Sequence, residues 1–284
     1  MVTITAALAL PMGSALAAPG GFGMLAYWDK DPSAYRGRIP SGSLVVINPA
    51  DGASGLGRDQ VASWKAVIAS IRAQGGKVLG YVPTGHDGSA NDDQLRFKAI
   101  PAELSAYATA LGGVDGYFFA QAAHEGPTVD DAKACAGTLA KWEKVRGLLT
   151  EAGVGGTMVW QAGRPGANGC FVRAAHGGEH VVVQEAAYAD HLASADAING
   201  TVQTLAASMN VKTWVLVHSA TQAQMQAALS ASRADYFYVT SMYRNLALPW
   251  GGPVWNHVPT YWGNDDDRAS ERGCLRRLRA GERC

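Results

Sequence analysis

Ten polar or aromatic side chains in this sequence end or follow short hydrophobic runs, and their types suit the recognition of a sugar. The set combines three phenols, three amides, two hydroxyls, an imidazole and one carboxylate: Tyr27, Asn48, Tyr81, Thr84, Gln121, Gln161, Glu185, Tyr188, His218 and Thr240. Aromatic rings stack on the apolar faces of a sugar ring, while amides and hydroxyls bond to its hydroxyl groups. The pattern therefore predicts a carbohydrate-binding site. In the alternative interpretation, the tyrosines merely close strand ends and Asn48, which precedes a proline, forms a turn.

The hydrophobic run at residues 113–121 ends in Ala120 and Gln121, at a position where a catalytic group is expected. Neither side chain can act as a general acid or base. Asp29, which follows the first hydrophobic run, and Glu125, four residues beyond Gln121, are candidate substitutes. The alternative for Glu125 is a loop carboxylate that faces water. A catalytic interpretation therefore depends on carboxylates outside this run.

Other kinds of site lack their characteristic residue spacing in this chain. His86, His124, His176, His191 and His257 show no His-x-x-x-His spacing among themselves, and the serines lack the Gly-x-Ser-x-Gly elbow of acyl-transfer enzymes. The Gly-rich spacings that bind phosphate groups do not occur either. We therefore predict no metal ion and no cofactor.

Short β-rich runs alternate with longer Ala-rich helical runs, which is typical of a parallel sheet with crossover helices. We predict eight strands, at residues 23–28, 44–48, 77–83, 114–119, 156–161, 180–185, 212–218 and 236–241. Helices are predicted at residues 58–74, 101–111, 130–152, 190–209 and 221–232, and an irregular connection at 164–178. This order favours an α/β fold, a single (β/α)8 TIM-type barrel, with a doubly wound sheet as the alternative. In a barrel of this kind the C-terminal strand ends build the active site, which would bring the ten side chains together.

Composition and the chain ends bear on the compartment and the partners. Lys plus Arg and Asp plus Glu both number 24, so the formal net charge is zero and nucleic acid is not an expected partner. Residues 1–18 combine an apolar segment with a small-residue cleavage pattern. They predict a signal peptide, which lacks its basic region and so suggests a start further upstream; an Ala-rich, frayed N-terminus is the alternative. We expect a secreted or cell-envelope monomer without a membrane span.

The domain organisation follows from these boundaries. Residues 19–263 are predicted to form the barrel, and residues 264–284 a polar, Arg-rich tail in which acidic residues accompany the arginines. Four cysteines allow three disulfide pairings, and Cys135 with Cys170 and Cys274 with Cys284 make up one of them. Buried, unreactive thiols are the alternative.

Several segments, in order and spacing, resemble the spherulation-specific family 4 (spherulin-4-like) glycoside hydrolases. They are VVINP at 45–49, KVLGYVPT at 77–84, VDGYFF at 114–119, VVVQE at 181–185, YVT at 238–240 and PTYW at 259–262. The similarity extends over residues 23–263, nearly the whole of the predicted barrel.

The resemblance implies a secreted (β/α)8 barrel that acts on amino-sugar polysaccharides, including chains that contain N-acetylgalactosamine. The family's fourth strand typically ends in Asp-Glu, which matches Ala120 and Gln121, and its fifth carries Asn-Pro-Gly, where this chain has QAG at 161–163. The resemblance keeps Glu185 as the catalytic candidate. We therefore predict a protein that binds an extracellular amino-sugar polysaccharide and hydrolyses it weakly or not at all. The alternative is a non-catalytic cell-envelope interaction protein that uses the barrel as a scaffold.

Overall fold

Eight parallel strands close into a barrel in the computed structural model, which describes residues 21–28, 30–85, 91–123, 131–162, 169–242, 254–255 and 259. The strands are β1 (Gly21–Leu25), β2 (Leu44–Ile47), β3 (Lys77–Pro83), β4 (Gly116–Ala120), β5 (Thr157–Gln161), β6 (His180–Ala187), β7 (Lys212–His218) and β8 (Tyr236–Val239). Each strand pairs with the next along the chain, and β8 pairs with β1. This order confirms the predicted (β/α)8 barrel and excludes the doubly wound sheet.

All eight predicted strands occur, because their consecutive hydrophobic residues are covered on both faces. Every position of β2 and of β4 is buried, as in parallel sheets that lie between a core and surrounding helices. Two glycines make room for large rings in this core. A Cβ atom at Gly23 would lie 2.4 Å from the ring of Trp214, and one at Gly80 would lie 2.7 Å from the ring of Tyr107.

The described residues include seven α-helices, which lie in the connections between successive strands. They are α1 (Arg58–Ala73), α2 (Asn91–Thr109), α3 (Asp131–Glu151), α4 (Gly169–Ala174), α5 (Tyr188–Ala197), α6 (Gln203–Ser208) and α7 (Gln222–Ala231). A π-helical turn, Ile198–Val202, joins α5 to α6. None of the described helices is both long and apolar enough to cross a membrane.

Two of the helix predictions, and the predicted irregular connection, need correction. The helix predicted to start at residue 101 begins ten residues earlier, and Pro101 lies inside it. Proline is common in a first turn because it lacks an N–H, but its φ also fits a helix interior at the cost of one hydrogen bond. The segment predicted to be irregular contains the short helix α4, and the single helix predicted at 190–209 is divided by the π-helical turn.

A disulfide bond between Cys135 and Cys170 links the second turn of α3 to the first turn of α4. This bond confirms one pair of the pairing considered above; Cys274 and Cys284 lie outside the described residues. The bond lies on the side of the barrel where β4 and β5 end, because α3 and α4 follow these strands. It therefore ties together the two helices that flank the end of β5.

A buried ion pair supports β5 from outside the barrel. Arg146 on α3 donates from Nε and Nη2 to the two carboxylate oxygens of Glu179, at 2.8 and 2.6 Å, and the indole of Trp160 donates to the same carboxylate at 2.9 Å. Burial alone would raise the pKa of Glu179, but the bonds from Arg146 and from the backbone of His176 outweigh it and lower that pKa. The ring of Trp160 stacks between Phe119 and Trp142, which fixes α3 against β4 and β5.

Candidate functional site

The C-terminal ends of all eight strands lie on one rim of the barrel, because the strands are parallel. Successive side chains of a strand point to opposite faces of the sheet, and on β6 the side chain of Glu185 points toward the barrel interior. Its neighbour Gln184 is buried on the other face, where it bonds to Ser194 and His191 of α5. The pairing of β6 with β7 is irregular between Val182 and Gln184, just before this change of face. Irregularities of this kind often direct a side chain into an active site.

Two neutral N–H groups hold the Glu185 carboxylate. The amide Nε2 of Gln161 donates to Oε2 at 2.8 Å, and the indole Nε1 of Trp255 donates to Oε1 at 3.2 Å. Hydrogen bonds donated to both oxygens stabilise the ionised form over the carboxylic acid. Glu185 is therefore arranged as a fixed negative charge and hydrogen-bond acceptor.

Gln161 connects Glu185 to the end of β4. Its Oε1 accepts a hydrogen bond from the backbone N–H of Gln121 at 3.1 Å, while its Nε2 donates to Glu185. Both ends of the Gln161 amide bond to protein, so the side chain supports Glu185. Its predicted contact with a sugar stays a prediction.

Gln121 has the backbone and side-chain features of a site residue. Its φ is +56°, a left-handed conformation that costs a non-glycine residue about 1 kcal/mol or more. Its side-chain Oε1 is buried and has no hydrogen-bond partner among the described residues. An unpaired buried acceptor is destabilising, so this oxygen is available to a donor from a ligand or from water.

Lys141, which the sequence analysis did not predict as a site residue, bonds to the backbone just after β4. The side chain is fully buried on α3, and its Nζ donates to the backbone carbonyls of Gln121 at 3.0 Å, of Ala123 at 2.9 Å and of Gly85. Next to it, the indole of Trp142 donates to the carbonyl of Ala122 at 2.7 Å. The helix that follows β4 therefore fixes the backbone at the end of the same strand.

Tyr27 and Tyr81 form an aromatic wall at the rim. Their partly exposed rings meet edge to face, with centroids 5.3 Å apart. Burial of the phenol is the main reason that the pKa of Tyr27 is raised, and the charge of Glu185 contributes. For Tyr81 burial again comes first, and Asp51 and Glu185 raise its pKa further.

The loop after β2 contributes a charged pair that the sequence prediction also missed. Asp51 and Arg96 form an ion pair, with 2.7 Å between Oδ2 and Nη1. The predicted sugar contact Asn48 lies at the start of this loop, where its Oδ1 accepts a bond from the N–H of Gly52 at 2.9 Å. This bond matches the turn-forming alternative for Asn48.

The remaining predicted residues lie at different depths. Thr84 and Thr240 are fully buried, and the hydroxyl of Thr84 donates to the carbonyl of Ala120 at 2.8 Å. They stand in the wall beneath the rim rather than on its surface. His218 is 7% exposed and lies edge-on to Trp255, with ring centroids 6.3 Å apart. Tyr188, partly exposed, begins α5.

Two candidate substitutes for a missing acid, Asp29 and Glu125, lie outside the described residues. Ala120 is buried at the end of β4, where it offers no functional group. Within the described segments, no group of three or more His, Cys, Asp or Glu side chains is arranged to hold a metal ion.

A sequence profile of spherulation-specific family 4 (Spherulin4) matches residues 25–265, which is most of the chain. The chain belongs to this family. A comparison with curated proteins finds no significant match.

The spherulin-4-like barrel is also similar to solved structures. Sph3 of Aspergillus clavatus, in complex with GalNAc, has 17% sequence identity and a TM-score of 0.55, over 87% of this chain and 94% of Sph3. A mutant O-GlcNAc hydrolase of Thermobaculum terrenum has 8% identity and a TM-score of 0.48, over 80% of this chain and 55% of that one. A family GH18 chitinase of Chromobacterium violaceum has 16% identity and a TM-score of 0.45, over 94% of this chain and 84% of the chitinase. The likeness to Sph3 supports the barrel fold and by itself assigns no residue a role.

Proposed function

We propose that this spherulin-4-like barrel binds an extracellular amino-sugar polysaccharide and hydrolyses it weakly or not at all. The observation that carries the proposal is the fixing of the Glu185 carboxylate by Gln161 and Trp255 at a rim lined by Tyr27 and Tyr81. A carboxylate and partly exposed rings supply the acceptor and the stacking surface that a sugar needs. The unpartnered Oε1 of Gln121 adds an acceptor for a hydroxyl or acetamido group.

Hydrolysis of a glycosidic bond needs two groups with different tasks. One carboxylic acid protonates the leaving oxygen, and a carboxylate acts as nucleophile or base. The donors around Glu185 suit it to the carboxylate task, and neither Ala120 nor Gln121 can supply the acid. Loss of general acid catalysis typically costs about a hundred- to ten-thousandfold in rate. Binding with little or no turnover is therefore the expected behaviour.

One observation supports the class of ligand, and another supports the compartment of the protein. Sph3, which shares the barrel fold, is known in complex with GalNAc, so we extend amino-sugar binding to this family member as part of the proposal. The disulfide between Cys135 and Cys170 is typical of proteins in an oxidising compartment, which agrees with the signal peptide predicted at residues 1–18. A secreted or cell-envelope protein is the proposed setting.

The test measures the binding of N-acetylgalactosamine oligosaccharides by titration calorimetry, and their hydrolysis by product release. We expect wild type to bind them, and Glu185→Gln to weaken binding at least about tenfold because a charged acceptor is lost. Glu151→Gln, at the exposed far end of α3, is the matched control and should bind as wild type does. Wild-type failure to bind any amino-sugar oligomer would refute the proposal and favour the scaffold alternative.

The hydrolytic part of the proposal has its own test. The double substitution Ala120→Asp with Gln121→Glu supplies the two carboxyl groups that the family resemblance places at these positions. We expect it to release product faster than wild type. A wild type that already turns over rapidly, and keeps that rate in Glu185→Gln, would contradict the assignment of Glu185.

A further inference from the structure

The loop after β2 is held in one shape by buried bonds. The carboxylate of Glu103, on α2 and 4% exposed, accepts bonds from the backbone N–H groups of Ala53 and Ser54 and from the hydroxyl of Ser54. At the loop's other end, Asn48 accepts from Gly52. A Cβ atom at Gly52 would lie 2.4 Å from Glu103, so this close contact requires glycine. A loop fixed in this way is suited to presenting one side chain in a constant position.

The side chain at the tip of this loop is Asp51. Its backbone has a φ of +55°, in the left-handed region that aspartate and asparagine tolerate better than most residues. Its side chain is 54% exposed, although one oxygen accepts from Arg96. Burial is the first cause of the raised pKa of the Tyr81 phenol, and the charge of Asp51 is the next. An ionised carboxylate has about four acceptor positions, so acceptor capacity beyond the bond from Arg96 faces solvent.

Asp51 and Glu185 lie on opposite sides of the barrel rim. The loop of Asp51 follows β2, Glu185 is on β6, and these strands are four positions apart in a closed ring of eight. Tyr27 follows β1 and Tyr81 is on β3, the two strands that flank β2, and their rings meet edge to face. Burial is the largest reason that the pKa of each phenol is raised, and the charges of both carboxylates add to it. The aromatic pair therefore lies beside the loop of Asp51.

We propose that Asp51, Arg96 and Tyr81 form a second sugar subsite, which recognises two adjacent hydroxyl groups on a unit of the polymer distinct from the one at Glu185. This inference rests on the proposed function and deepens it. One hydroxyl donates to the exposed carboxylate and its neighbour accepts from the guanidinium, a match that an acceptor and a donor side by side provide. The ring of Tyr81 supplies the adjacent apolar contact.

The experiment is a chain-length series of N-acetylgalactosamine oligosaccharides, from one to six units, titrated into the full chain. Asp51→Asn keeps a residue that tolerates the left-handed backbone but removes the charge, and Arg96→Met removes the donor. The matched control is Arg72→Met, which breaks a similar exposed ion pair with Asp115 at the opposite end of the barrel. Thermal midpoints confirm that the variants are folded.

We expect the wild-type affinity to rise with oligomer length. Asp51→Asn and Arg96→Met should lose about ten- to a hundredfold for the longer oligomers and nothing for the monosaccharide. Glu185→Gln should lose affinity at every length, and Arg72→Met at none. Equal affinity of wild type and Asp51→Asn for the hexamer, or equal loss at every length, would overturn the subsite and leave the proposed function standing. No binding by wild type at any length would overturn both.

Discussion

The disulfide between α3 and α4 should supply a large share of the stability of the barrel, and the size of its contribution follows from its place in the sequence. Cys135 and Cys170 are 35 residues apart. In the chain-entropy description, closing a loop of this length removes enough freedom from the unfolded chain to stabilise the fold by about 4 kcal/mol. The loop contains β5 and therefore Gln161, which supports Glu185.

The double variant Cys135→Ala with Cys170→Ala tests this value. Urea unfolding, followed by far-ultraviolet circular dichroism without reductant, should show a free energy of unfolding lower by about 4 kcal/mol than that of wild type. Because Cys274 and Cys284 are present in both proteins, their contribution cancels in the difference. Reductant should lower wild type toward the variant. A difference below about 1 kcal/mol without reductant would refute the loop-entropy argument.

Three further predictions concern the core and the rim. Burial is the main cause that lowers the pKa of His180 to about 4, and its Nδ1 accepts from Trp214, so the folded protein needs the neutral ring. The neutral ring contributes fully to the free energy of unfolding above the usual pKa of about 6.5, and this contribution should be lost as pH falls toward 4. His180→Gln should therefore flatten the decline in unfolding free energy between about pH 7 and about pH 4.5. An unchanged decline would contradict this. Gly23→Ala should destabilise the fold by about 1–3 kcal/mol, because the new Cβ atom would meet the ring of Trp214. The control is Gly147→Ala, whose Cβ atom would meet no atom within 4 Å and should not lower the thermal midpoint. Equal midpoints for the two variants would count against the packing argument. Lys141→Met should weaken oligosaccharide binding and lower stability, because it removes the hydrogen bonds to the carbonyls of Gln121 and Ala123. Lys144→Met, on the exposed side of α3, is the control. Wild-type affinity in Lys141→Met would contradict a positioning role for Lys141.

The strands were predictable because the signal for each is local. A run such as residues 44–47 is apolar at consecutive positions and rich in β-branched residues, which favours a strand covered on both faces. The helix start at Asn91 was not predictable in the same way. Proline carries a strong signal for a first turn, and the interior position of Pro101 is set by the packing of α2 against its neighbours.

The candidate site was predictable only in part, because strand ends are local features and loop contacts are not. Glu185 and Gln161 lie at strand ends, and both take part in the network. Asp51 depends on a left-handed backbone and on Arg96, 45 residues away along the chain. Lys141 resembles an ordinary solvated helix lysine. The sequence places it on the same helical face as Thr138 and Val145. In the structure both of these residues are fully buried.

Among the described residues, the hydrogen bonds that hold the end of β4 run to its main chain. Thr84 bonds to the carbonyl of Ala120, Lys141 to the carbonyl of Gln121, and Gln161 accepts from the N–H of Gln121. None of these bonds uses the side chain of residue 120 or 121. Selection can therefore change the chemistry at these two positions without rebuilding the architecture around them. Under the proposed function, a pair of substitutions at these positions would separate binding of a polymer from its hydrolysis, while the bonds of Gln161 and Trp255 to Glu185 stay as they are.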